Sequence, residues 1–156
     1  MIALIQRVAS ASVHVEGRLV GAIDAGILAL IGIVAADDAT SADRLLQRVL
    51  DYRIFADAQG RMNHSLRDTG GGLLLVPQFT LAADTRRGNR PGFSGAAAPG
   101  LAEPLFERLV TQARSRHPRV SQGQFGAHMQ VSLVNDGPVS FWLESAVRAL
   151  PGGHER

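Results

Sequence analysis

The stretch IALIQRVASASVHVEGRLVGAI, residues 2–23, alternates apolar and polar side chains on both sides of Glu16-Gly17. A period of two belongs to a half-buried strand, and a tight turn between two such runs reads as a β-hairpin. Just beyond it, GILALIGIVAA at 26–36 is apolar throughout. That run is too short to span a membrane and reads as a buried strand. The period then changes. Thr40 and Ser41 open a helix that sets Leu45, Leu46, Val49 and Leu50 on one face, at the spacing of a helical turn.

Further along, Gly60 and DTGGG at 68–72 punctuate the chain, and GLLLVPQFTL at 72–81 supplies another strand. Pro77 has no backbone donor, so this strand is expected to lie at an edge or to end there. LAEPLFERLVTQARSR at 101–116 reads as a second helix, with Pro104 expected in its first turn, where a missing N–H breaks no hydrogen bond. HMQVSLVN at 128–135 and VSFWLES at 139–145 read as two closing strands. Strands at both ends with two main helices between them give an α+β class. One domain is expected over residues 1–147, followed by a tail at 148–156.

With 156 residues, 46% of them hydrophobic, the chain can bury a substantial core. MIALIQRVAS lacks a basic leader and a small-residue cleavage site, so a cytoplasmic protein without membrane association is expected. Two missing residue types narrow the chemistry. The absence of cysteine excludes disulfides, thiolate metal sites and a cysteine nucleophile. All 16 basic residues are arginine, which removes Schiff-base chemistry and the phosphate-binding lysine of a Walker loop. The five histidines, His14, His64, His117, His128 and His154, form no HxH or HxxxH pair, so no metal site is expected.

Charge is unevenly spread. Residues 86–119 carry seven arginines against Glu103 and Glu107, a local balance of +5, while the rest of the chain stands at −3. A basic segment on an otherwise mildly acidic protein suits either a polyanion or simple solvation. Within it, RRGNRPGF at 86–93 sets Arg86, Arg87 and Arg90 ahead of Phe93, a pattern compatible with phosphate contact and base stacking.

The candidate chemistry is sparse. Thr80 in PQFTL has only Asp84 near it in sequence, which is no triad, so an ordinary strand threonine is favoured over a nucleophile. The backbone is more promising: free N–H groups of Phe79 and Thr80 at a strand end would form an oxyanion hole without any special side chain. In GQFGAHMQV at 123–131, glycines flank Phe125 and Met129 follows; these residues suit either a slot for a flat ring or ordinary core. VNDGPVS at 134–140 places Gly137-Pro138 between two strands, where an ordinary turn has no need of proline.

Taken together, QRV at 6–8, PQFTL, RRGNRP and GQFGAHMQVSLVNDGPV, in this order and spacing from Met1 to about Ser145, resemble the D-aminoacyl-tRNA deacylases. The resemblance implies a compact α+β domain of packed, mainly antiparallel sheets, and a homodimer with active sites at its interface. It implies hydrolysis of the ester on the aminoacylated 3′ end of tRNA, with no cofactor, no metal and no DNA partner. Gly137 and Pro138 correspond to a cis peptide inserted into the partner's pocket. There its carbonyls capture the substrate ammonium and reject an L side chain, so that glycine mischarged on alanine tRNA is hydrolysed too. Gln78, Phe79 and Thr80 match positions beside the ester carbonyl, Phe125 and Met129 match the adenine pocket, and Arg7 matches an arginine bracing the Gly-Pro motif. Catalysis in the family is held to depend on the substrate's own ribose 2′-OH. Two positions depart from the pattern: Pro77 stands where the family has serine, and Ser140 where it has threonine. Two alternatives stand beside this reading: a tRNA-binding homologue that has lost turnover through Pro77, and, separately, Thr80 acting as a covalent nucleophile.

Overall fold

The computed structural model describes residues 1–145; the tail expected at 148–156 lies outside them. Strands β1 (Ile2–Val15) and β2 (Arg18–Ile23) form the hairpin. Its turn residues Glu16 and Gly17 both take positive φ, 50° and 77°, the backbone that matches the twist of the paired strands. β3 (Gly26–Gly32) then runs antiparallel along residues 2–8 of β1, continuing the edge that β2 occupies along 11–15. Ile27, Ala29 and Ile31 of β3 face one core and Leu28 another. Burial on both faces explains why this run does not alternate.

The helix expected at Thr40 forms as α1 (Ala39–Asp51), capped one step earlier by Asp38. The Asp38 carboxylate accepts from the Ser41 N–H at 2.9 Å, and the Ser41 hydroxyl accepts from the Asp38 N–H at 3.3 Å, a reciprocal cap. β4 (Phe55–Ala56) and β5 (Met62–His64) make a separate two-stranded ladder. The single-turn α2 (Leu66–Thr69) follows. The main sheet resumes with β6 (Gly72–Pro77), a short 3₁₀ turn (Phe79–Ala82), α3 (Pro99–Arg116), β7 (Val120–Gln122) and β8 (Gln130–Glu144). α2 adds a third helix to the two main ones expected.

Pairing is antiparallel around β1 but parallel from β3 through β6 to β7, because the connections through α1 and α3 are crossovers and not hairpins. The strip curls until β7 approaches β2, where the Ser121 hydroxyl donates to the Ala22 carbonyl at 3.0 Å. Val8, Val13, Leu28, Leu74 and Val76 fill the inside of this near-barrel. On its outer face α1 and α3 pack Leu45, Leu46, Phe106 and Leu109 against Ile5, Ile27 and Leu75. Each such fully buried side chain contributes roughly 1.5–3 kcal/mol of transfer free energy.

Two prolines behave differently from each other. Pro77 ends β6: Gln78 donates to the Ile31 carbonyl at 2.7 Å, while the pairing of β6 with β7 has already stopped at Leu75 and Gln122. The donor that proline lacks therefore has no strand partner to miss. Pro104 does not lie in the first turn as expected. Helix α3 starts earlier, at Pro99, so Pro104 falls in its second turn and leaves the Gly100 carbonyl without an intrahelical donor. Both residues are exposed, and water can serve that carbonyl.

The last segment departs most from expectation. The two closing strands form one long strand, β8, which pairs with β1 on both sides of residues 136–139. Register slips between Gln6↔Ser140 and Val8↔Asn135, leaving 136–139 as a bulge opposite Arg7. The Gly137-Pro138 peptide in that bulge is cis. A proline interrupts the ladder here because the chain leaves it.

Candidate active site

A cavity of about 670 Å³ opens where β6 ends. Its floor is Ile31, Ile33 and Val76. Pro77, Gln78 and Phe79 form one side, Ala96–Pro99 at the start of α3 another, and Phe125 to Met129 a third. Phe125 leans its ring on Phe106 of α3 with centroids 6.3 Å apart, so the wall is braced from the core. The Met129 sulfur accepts the Gln124 N–H at 3.3 Å. It also lies so close to Gly123 that a Cβ there would meet it at 2.8 Å. A side chain at 123 would oblige the Met129 thioether to shift.

The strand end supplies donors. Gln78 spends its N–H on Ile31, and the first N–H groups of a helical turn have no partner within it. Among the described residues, the N–H groups of Phe79 and Thr80 meet no protein acceptor. The Thr80 hydroxyl oxygen accepts from the Gln78 side-chain amide. An amide cannot take a proton from the hydroxyl at neutral pH, so this contact does not activate Thr80.

Gly137, Pro138 and Arg7 do not line the cavity of the single chain. They form a second assembly on β8. Arg7 donates Nε to the Asp136 carbonyl at 2.8 Å and Nη1 to the Ile54 carbonyl at 2.7 Å, tying the bulge to the segment after α1. Asn135 closes its base: Oδ1 accepts the Val139 N–H at 2.6 Å, and Nδ2 donates to the Ser140 hydroxyl at 3.0 Å. The hydroxyl at 140 is therefore engaged, whichever of serine or threonine supplies it. Gly137 has φ +149°, and a Cβ there would meet Val139 Cγ2 at 2.6 Å and the Val139 nitrogen at 2.9 Å.

Of the three loop arginines, Arg86 is committed. Its guanidinium donates twice to the Asp84 carboxylate, at 2.8 and 2.7 Å. These bonds hold Asp84 well below the usual carboxylate range. Arg87 and Arg90 are exposed and face no carboxylate among the described residues.

Sequence reasoning missed Asn135 and His128, and it read Phe93 as a stacking residue of the basic loop without placing it at the cavity. Asn135 had a legible signal, since asparagine beside a turn commonly bonds its own backbone. Phe93 and His128 line the cavity only because two distant loops converge on it. Sequence spacing does not encode that meeting.

A family profile described as D-Tyr-tRNA(Tyr) deacylase matches residues 4–144. A D-aminoacyl-tRNA deacylase of Thioalkalivibrio sulfidiphilus is 65% identical over 92% of this chain and 97% of its own. One from Azotobacter vinelandii is 63% identical over 93% and 100%. Among solved structures, a chain called "c-Myc DNA Unwinding Element Binding Protein" superposes with TM-score 0.90 at 37% identity, covering 94% of this chain and 100% of that one. A "probable eukaryotic D-amino acid tRNA deacylase" shares the fold at TM-score 0.81 and 15% identity, over 92% and 98%. With the profile spanning nearly all described residues and relatives above 60% identity along their length, the chain belongs to the D-Tyr-tRNA(Tyr) deacylase family.

Proposed function

We propose that this protein hydrolyses the ester of D-aminoacyl-tRNA, releasing free D-amino acid and tRNA, as a cytoplasmic proofreading step. The observation that carries the reading is the cavity with two unpartnered N–H groups at its edge and no activated nucleophile beside them. An aminoacyl ester is already reactive. Water needs orientation and a place for the oxyanion to form, and backbone donors supply the second. The substrate's ribose 2′-OH promotes the attack, and no side chain of the chain itself has to exchange a proton.

The adenine of the tRNA terminus sits against Phe125 and Met129, its ester beside Gln78, Phe79 and Thr80. Stereochemical choice belongs to the Gly137-Pro138 bulge of a second copy. Among the described residues, β8 pairs only with β1, so its outer edge has no strand partner. Leu133, Val134 and Trp142 are exposed on it. A long unpaired edge with apolar side chains is suited to another chain, and a homodimer formed there would carry each bulge to the other copy's cavity. The Gly137 and Pro138 carbonyls then bind the substrate ammonium and occupy the volume an L side chain would need. Glycine offers nothing to reject, so glycyl-tRNA is also a substrate.

A competing reading is that Pro77 leaves a binding protein without turnover. Against it, the lost N–H faces no ladder partner and the Phe79 and Thr80 donors remain in place. The test is deacylation of D-tyrosyl- and L-tyrosyl-tRNA at equal enzyme. D-specific hydrolysis is expected; equal rates on both would reject the filter, and hydrolysis of neither with tRNA still bound would favour the inactive homologue.

A further inference from the structure

We propose that Phe93, with Arg87 and Arg90, receives the nucleotide preceding the terminal adenosine on the single-stranded 3′ end of tRNA. This rests on the reading of the cavity as the terminal adenosine's site. Phe79 and Phe93 are 61% and 41% exposed, yet they line the same cavity and pair with ring centroids 5.2 Å apart at 52°. Two large aromatic rings facing solvent at one cavity call for a ligand more than isolated exposed apolar residues do.

The platform is held in place. Asp84 and Gly92 exchange backbone hydrogen bonds at 2.7 and 3.0 Å, and Ala96 donates to the Phe93 carbonyl at 3.1 Å. Asp84 also clamps Arg86, which removes that guanidinium from the pool available to a ligand. Arg87 and Arg90 keep theirs. Exposed aromatic surface beside unpaired arginines suits a single strand: a base stacks on the π-face whatever its identity, and guanidinium groups take the phosphate. A neutral apolar ligand would use the ring but leave the charges idle.

Two probes test this. One is adenosine carrying D-tyrosine through a non-hydrolysable 3′-amide; the other is the same group on the trinucleotide cytidylyl-cytidylyl-adenosine. Wild type is expected to bind the trinucleotide roughly tenfold more tightly than the nucleoside. Phe93→Leu keeps apolar bulk without a π-face and is expected to cut that advantage to about threefold or less, with Phe93→Trp restoring it. Arg87→Ala with Arg90→Ala is expected to reduce it and to flatten its dependence on salt. An unchanged ratio in Phe93→Leu, with the nucleoside still bound, would overturn the platform and leave the cavity's assignment standing. Failure of wild type to bind the nucleoside would overturn that assignment, and the platform with it.

Discussion

At the scale of single residues, the proposed mechanism works through main-chain groups, and substitutions have to be chosen to reach them. Phe79→Pro deletes one of the two free N–H groups. Gln78, at φ −142° and ψ 83°, lies outside the α region that a following proline disfavours. Phe79→Ala removes the ring alone. Turnover of D-tyrosyl-tRNA under saturating conditions is expected to fall about 10²–10³-fold further in the proline variant than in the alanine one; equal kcat values would remove the oxyanion hole from the account. Gly137→Ala forces a side chain into +149° backbone and against Val139. It is expected to destabilise by about 1–3 kcal/mol, seen as a lower Tm, and to lower kcat/KM for D-substrates. An unaltered melting curve and rate would mean the bulge relaxes freely. The donors at Phe79 and Thr80 were legible as a strand end followed by a break in pattern. The Asn135 clasp was legible only as the general habit of asparagine to bond nearby backbone, because the sequence does not specify that 136–139 leaves the ladder instead of turning it.

Among the elements, the packing of α1 on α3 carries one pH-sensitive contact. Arg108 donates to Asp43 at 2.9 Å, and that hydrogen bond, with the guanidinium charge, holds the Asp43 carboxyl below its ordinary 3.8. A carboxylate depressed in the folded state stabilises fully above the unfolded value, and the contribution disappears as pH falls through the folded one. Asp43→Asn is therefore expected to melt slightly earlier than wild type at neutral pH, on the order of a degree or two for so exposed a pair. The two curves should converge below pH 3.8; a gap that persists in acid would point to lost packing. Elements with a strong period were readable in advance: the hairpin by alternation, α1 by its leucine face. The start of α3 was misplaced because Pro99 at its first position reads equally as the end of the preceding loop. The parallel course of β6 and β7 depends on which way the crossovers wrap, information carried by tertiary packing.

For the whole molecule, the proposed filter requires that an unpaired strand on one copy complete the cavity of another. The class, the basic loop and the Gly-Pro motif were visible in the sequence. The separation of the bulge from the cavity within one chain became visible only in three dimensions: Arg7 and Asn135 hold the motif on β8, apart from the residues that line the cavity. Under the proposed mechanism, that separation is what makes a second copy necessary to the filter. The most direct measurement uses the smallest substituents: hydrolysis of D-alanyl-, glycyl- and L-alanyl-tRNA by one enzyme preparation under identical conditions. If main-chain oxygens exclude by occupying space, the first two are hydrolysed and a single methyl in the L position suffices to spare the third. Hydrolysis of L-alanyl-tRNA at the rate of D-alanyl-tRNA, or resistance of glycyl-tRNA, would contradict a steric filter.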